Sequence, residues 1–145
     1  MADTRVKRPL RPLTDKERRV ADALATFDGP ASAYDIIGRL NDVQLKAPPT
    51  IYRALNRLIE RGLAHKLESV NAYVACSHEH GDGHCATPDH GMNSVFALCA
   101  DCKSVTEFGQ PEVVQALRAW ADGNGFELSS MTLELQGRCA DCRDR

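Results

Sequence analysis

The spacing of apolar positions makes the front of the chain helical. After Thr14, apolar residues recur as Val20, Leu24 and Phe27, the three-to-four spacing of one buried helix face, until Asp28-Gly29-Pro30 stops the run. Thr14-Asp15-Lys16-Glu17 carries the reciprocal cap pattern that starts such a helix, and Ser32-Ala33-Tyr34-Asp35 repeats it before a short second helix with Ile36, Ile37 and Leu40 turned inward. Tyr34 reads as a packing residue of that helix. A mostly polar loop, Asn41 to Lys46, leads to a third helix. Its Pro48 and Pro49 suit a first turn, Ile51, Leu55, Leu58 and Ile59 mark its buried face, and Gly62 its C-terminal cap. Tyr52, Arg53, Asn56 and Arg57 are left on the outer face.

Beyond Gly62 the pattern becomes extended. Leu63 to Glu68 and Ala72 to Cys76 read as a hairpin turning at Ser69-Val70-Asn71, and Val95 to Leu98 with Ser104 to Phe108 as a second hairpin. Pro111 then opens a helix with the stripe Val113, Val114, Leu117, Trp120 and Ala121, closed by Gly123-Asn124-Gly125. Met131, Leu133 and Leu135 alternate with polar residues as a last, half-buried strand. Three helices followed by a hairpin is the layout of a winged helix-turn-helix. The β-β-α-β unit from Val95 to Cys142 is a small sheet with exposed edges, for which pairing with a second copy is the expectation.

The expected class is therefore α+β: a winged-helix DNA-binding domain over 1–75, with a basic arm over 1–13, a His/Cys-rich hinge loop over 76–93, and a small α/β dimerisation and metal-binding domain over 94–145. In a winged helix the third helix enters the major groove, which puts Tyr52, Arg53 and Asn56 at the DNA, Tyr52 and Arg53 near base edges, and Arg57 nearer the phosphates. The same residues also fit the wet face of an ordinary helix.

Charge sharpens this division. The net charge of −2 hides a front half, Met1 to Ala75, with 13 Lys and Arg against 9 Asp and Glu, and a back half with 5 against 11. The front suits phosphate and the back suits cations. The basic arm, with Arg5, Lys7, Arg8 and Arg11, fits either a solvated terminus or a DNA-backbone contact. No apolar segment reads as a signal peptide or a membrane span, so a cytoplasmic, reduced setting is expected, in which six cysteines suggest metal more than disulfides.

The chemistry concentrates in two identical spacings, Cys99-Ala100-Asp101-Cys102 and Cys139-Ala140-Asp141-Cys142. Each Cys-x-x-Cys turns two sulfurs toward one point, and two such knuckles complete the tetrahedral four-thiolate shell of a structural zinc. Two disulfides, or four idle thiols, are the alternatives. A thioredoxin-like motif would run into a helix, whereas Ser104 to Phe108 reads as a strand. Between Ser77 and Asn93 the irregular segment carries His78, His80, His84, Cys85 and His90, potential ligands or a polar linker.

These residues resemble the ferric uptake regulator superfamily, and within it the zinc uptake regulator branch. The resemblance covers about Thr14 to Cys142. It rests on Pro48-Pro49-Thr50-Ile51-Tyr52-Arg53-Ala54-Leu55, Gly62-Leu63-Ala64-His65-Lys66-Leu67-Glu68-Ser69, Tyr73-Val74-Ala75-Cys76 and both cysteine pairs. It implies a homodimeric, zinc-responsive repressor of zinc uptake genes that binds operator DNA, with two zinc ions per chain and a third left open. A structural zinc would sit on Cys99, Cys102, Cys139 and Cys142. A regulatory zinc would take His65, Cys76, Glu107 and a loop histidine, His90 first and His84 second, leaving His78, His80 and Cys85 for another ion or none. Iron-sensing relatives carry a His-rich run directly before the first Cys-x-x-Cys; here Gly91-Met92-Asn93-Ser94 stands near that place, which favours zinc. A regulator of this family responding to another metal is one alternative, a zinc storage or delivery protein another. A zinc hydrolase using His65, Cys76 and Glu107 is the enzyme alternative; no catalytic motif accompanies those ligands, so the expectation is a regulator without catalysis.

Overall fold

The computed structural model describes residues 11–76, 94–128 and 131–145, and its first helix starts where the cap pattern puts it. Helix α1 spans Asp15–Ala25, with the Glu17 N–H donating to Thr14 Oγ and the Thr14 N–H donating to the Glu17 carboxylate at 2.9 Å. Burial pushes the Glu17 carboxyl up. The Thr14 amide and the Arg11 guanidinium, 2.7 Å away, outweigh that and hold it below the ordinary carboxylate range.

Helix α2, Ala33–Arg39, has the same reciprocal cap between Ser32 and Asp35. Tyr34 does not pack as expected: it is 68% exposed, because two residues along a helix separate it from the fully buried Ile36 by more than half a turn. The polar loop after α2 contains a single 3-10 turn, Val43–Leu45, that buries Leu45 completely and leaves Val43 exposed. Helix α3 spans Pro48–Glu60. Gly62, at φ +70°, ends it, and the Leu63 N–H reaches back to the Leu58 carbonyl at 2.9 Å. Val20, Leu24, Ile36, Ile51, Leu55 and Leu58 meet in one core beneath the three helices.

The hairpin pairs β1 (Ala64–Leu67) with β2 (Ala72–Ala75) in antiparallel register, reversing through a 3-10 turn, Glu68–Val70, and Asn71 at φ +47°. Two backbone hydrogen bonds, 2.9 and 2.8 Å, join Ala31 to Tyr73 and fasten the segment before α2 to this wing.

The second sheet has the order β4-β3-β5, from β3 (Ser94–Cys99), β4 (Val105–Gly109) and β5 (Leu133–Gly137). β3 and β4 are antiparallel; β3 and β5 are parallel, which requires a crossover, supplied here by α4 (Pro111–Gly123). β5 starts two residues later than the alternation predicts, and an unexpected short helix, α5 (Ala140–Arg143), follows it. The stripe on α4 is only partly buried. Val114 and Ala121 are buried, while Val113, Leu117 and Trp120 are exposed, together with Phe126 and Leu135. A helix on one side of a three-stranded sheet hides one line of residues, and among the described residues nothing buries the rest. Between the wing and this sheet lies a small second core of Leu67, Phe96 and Leu98, with Val74 and Val105 against it. No helix among the described residues is long and apolar enough to cross a membrane.

Candidate metal centres and nucleic-acid surface

Strand direction creates the first centre. Because β5 runs parallel to β3, both finish at the same end of the sheet, with Cys99 opposite Gly137, and each leads directly into a Cys-x-x-Cys turn. The sulfurs of Cys99, Cys102, Cys139 and Cys142 all lie within 4.8 Å of one another. The turns are built from backbone: the Lys103 N–H bonds the Cys99 carbonyl at 3.1 Å, the Cys142 N–H bonds the Cys139 carbonyl at 3.1 Å, and the Ala100 N–H bonds the Gly137 carbonyl at 2.8 Å. Lys103 takes φ +63° to close the first turn.

Cys99, Cys102, Cys139 and Cys142 stand as separate thiols in this structure. The four clustered sulfurs differ in acidity. The Cys139 backbone N–H, 3.4 Å from Cys99 Sγ, and then that of Cys102 lower the Cys99 thiol to about 6. Cys102 is lowered too, first by Ser104, whose Oγ is 3.1 Å away. Cys142 is pushed up to about 12, first by hydrogen bonding with the Cys139 sulfur and then by burial. Crowded sulfurs resist sharing several negative charges, and a divalent cation relieves that repulsion. Four convergent thiols with two already acidified therefore fit Zn²⁺.

The second centre brings together side chains that are far apart in the chain. His65 on β1, Cys76 just beyond β2 and Glu107 on β4 present donor atoms that also lie within 4.8 Å of one another. His65 Nε2 is 3.5 Å from Glu107 Oε1, with both side chains nearly buried, and the imidazole lies against Phe96, ring centres 5.1 Å apart. The Cys76 N–H bonds the Leu63 carbonyl at 3.0 Å, which fixes the residue at the open end of the wing. One nitrogen, one sulfur and one carboxylate form a mixed donor set suited to Zn²⁺ and other late divalent metals.

On α3, Tyr52, Arg53 and Asn56 are exposed. Arg57 departs from the expected outward position: it is about one-third exposed, pairs with Glu60 at 2.7 Å, and has its Nε 4.0 Å from buried Glu17. A cleft of about 530 Å³ opens beside these residues, lined by Arg11, Lys16, Thr50, Arg53, Asn56 and Arg57.

No family model matches the chain. The zinc uptake regulation protein of Escherichia coli (strain K12) is 36% identical over 131 residues, covering 90% of this chain and 72% of that protein. The chain belongs to the zinc uptake regulator branch of the ferric uptake regulator superfamily. The holo form of XcZur superposes with a TM-score of 0.78 at 38% identity, covering 95% of this chain and 90% of that one. A zinc uptake regulator solved in complex with zinc and DNA gives 0.77 at 32% identity, covering 92% and 84%. The ferric uptake regulation protein of Klebsiella pneumoniae is more distant, 29% identical over 118 residues.

Within this chain, all four cysteines expected at one centre are clustered, and three of the four ligands expected at the other are adjacent. His90, and the alternates His84, His78, His80 and Cys85, lie outside the described residues, as does most of the basic arm. Three polar contacts escape a reading by spacing. Arg138 Nε bonds Asp101 at 2.6 Å and its Nη2 bonds the Cys142 carbonyl at 2.8 Å, bracing the two knuckles together. Glu17 holds Arg11 as well as its own helix cap. Glu134 of β5 accepts the N–H groups of Glu68 and Ser69 in the wing. The Arg138–Asp101 and Glu134 contacts have no local sequence signature, because each joins distant residues through the tertiary fold.

Proposed function

We propose that this chain is a zinc-responsive transcriptional repressor: a homodimer that binds operator DNA when its regulatory site is filled, and so controls zinc uptake genes in the cytoplasm. The observation that carries the reading is the position of His65, Cys76 and Glu107, drawn from the wing and from the second sheet and gathered at the seam between them. Zn²⁺ bound there would supply a coordinate link between donors on two parts of the fold. His65 and Cys76 hold the wing side of the seam, Glu107 holds the sheet side, and a loop histidine, His90 or else His84, completes the set. Cys99, Cys102, Cys139 and Cys142 hold a separate, structural ion that closes the sheet. This gives two zinc ions per chain.

The wing side of the seam belongs to the hairpin that Ala31 and Tyr73 tie to the helices, so the seam geometry bears on where α3 sits. In a dimer joined through the exposed face of α4 and β5, that position fixes the distance between two α3 helices and hence their match to DNA half-sites. Tyr52 and Arg53 then lie near base edges, Asn56 beside them at the DNA, and the cleft containing Arg11, Lys16 and Arg57 meets phosphates. His65 and Glu107 act as holders in a regulator, with no part in turnover.

The deciding measurement is fluorescence-anisotropy binding to DNA from upstream of zinc-uptake genes across buffered free-zinc concentrations, with unrelated DNA as control. Specific affinity is expected to rise with free zinc while the protein stays folded and dimeric; operator affinity indifferent to zinc would overturn the reading. Replacing zinc with iron(II) or manganese(II) in the same buffers separates zinc control from control by another metal.

A further inference from the structure

Glu107 and Glu134 lie in one row of the second sheet. In its register Phe96 of β3 faces Glu107 on β4 and Glu134 on β5, and residues directly opposite one another on paired strands project from the same face. The wing covers that face. The His65 ring packs on Phe96, and Leu67 is fully buried against Phe96 and Leu98. Strand β1 therefore crosses the row from one carboxylate to the other. At its start His65 Nε2 lies 3.5 Å from Glu107; just past its end the two Glu134 oxygens accept the Glu68 N–H at 2.7 Å and the Ser69 N–H at 3.1 Å.

Those two amides open the 3-10 turn that reverses the hairpin. The leading N–H groups of a helical turn have no partner inside it, and Leu67, at the position where a local cap would sit, offers no side-chain acceptor. A carboxylate some 65 residues away in sequence takes the place of that cap. Burial pushes the Glu134 carboxyl up, but the Ser69 side chain and the Glu68 and Ser69 amides outweigh it and keep the group ionised.

We propose that Glu134 is a metal-independent clasp that seats the wing on the second sheet, and so holds His65 and Cys76 within reach of Glu107 before an ion binds. It is a positioning residue for the zinc response, and its role in that response rests on the function proposed above. Apolar contact over Phe96 alone leaves the wing free to pivot about the ring. Carboxylates on both sides of the ring remove that freedom, one through amides at all times and one through the regulatory site. With the wing already seated, the triad spends less of its binding free energy on ordering its donors, so it fills at lower free zinc.

The test uses full-length wild type, Glu134→Ala and Glu134→Gln, with Cys76→Ser as reference. Amide hydrogen exchange at Glu68 and Ser69, the free-zinc midpoint of the regulatory site, operator affinity, and retention of chelator-resistant zinc are measured on each. Glu134→Ala is expected to speed exchange at Glu68 and Ser69 and raise the zinc midpoint about tenfold, leaving the chelator-resistant zinc and the dimer intact. Glu134→Gln, which keeps the shape and one acceptor oxygen, recovers part of both effects and also serves if the alanine variant folds poorly.

Wild-type exchange and an unchanged zinc midpoint in Glu134→Ala would overturn the clasp. So would a loss of thermal stability with the midpoint unmoved, which would make the contact structural only. If wild-type protein binds zinc without gaining operator affinity, the proposed function fails, while exchange and the zinc midpoint still decide the clasp.

Discussion

The two candidate metal centres use similar donor spacing in opposite ways. The four-cysteine centre lies at one end of one sheet. Its sulfurs come from turns already closed by backbone bonds, and Arg138 and Asp101 brace the pair. The His65, Cys76 and Glu107 centre lies across a seam, with two donors on the wing and one on the second sheet, where a small apolar core and the Glu134 contact join the two sides. Four thiolates inside one module make a closed site whose metal contributes to folding; mixed donors shared between modules make a site whose occupancy biases an arrangement. Where the donors come from, more than which atoms they are, separates a staple from a switch.

The largest expected effect comes from breaking the first centre. Cys142→Ser should abolish the chelator-resistant zinc and unfold the C-terminal module, since a structural zinc contributes on the order of 10 kcal/mol in small zinc domains. Circular dichroism and metal content after mild chelation check this; a folded, dimeric variant would erase the distinction between the centres. Cys76→Ser should do the reverse. Fold and dimer stay, and operator affinity loses its rise with zinc, about five- to 150-fold, the span of coupling free energies of about 1 to 3 kcal/mol. Anisotropy across buffered zinc reads it directly.

Smaller effects sharpen what the seam controls. Arg53→Ala should cost about 1–3 kcal/mol of operator binding and relax sequence preference, whereas Arg57→Ala should weaken operator and random DNA alike, less strongly because its guanidinium is shared with Glu17 and Glu60. Titrations at several salt concentrations on both DNAs distinguish the two.

The smallest effect lies away from both centres. The folded Glu17 carboxyl is held below its ordinary value near 4.5, so its contribution to stability is complete above that pH and is lost as pH falls through the lower folded value. Glu17→Gln should cost about 1 kcal/mol near neutrality through the weakened helix cap. It should also flatten the acid side of the stability profile in urea unfolding, isolating that loss from the release of zinc by protonated ligands.

The legible parts of the chain share a physical feature: their cause lies within a few residues. Thr14 with Glu17 and Ser32 with Asp35 announce helices because each cap pairs with its own first turn. Gly62 ends α3 because its backbone, with no Cβ, takes φ +70° without strain. Tyr34 shows the same reason in reverse. An aromatic residue early in a helix carries no local mark of exposure, which depends on whether another element reaches it. The exposed stripe of α4 likewise reads as core from its spacing, because periodicity reports an apolar face without saying whether its cover comes from the same chain.

By itself the sequence determined the order of the main helices and strands, the winged-helix layout, the outward positions of Tyr52, Arg53 and Asn56 on α3 and the pairing of the two Cys-x-x-Cys turns, since each follows from periodicity or from a short ligand spacing. Only the tertiary structure decided that β5 runs parallel to β3 and delivers the second knuckle to the first, that Arg57 turns partly inward, and that Phe96 separates two carboxylates on one face. Those facts depend on strand direction and register, which no local pattern encodes.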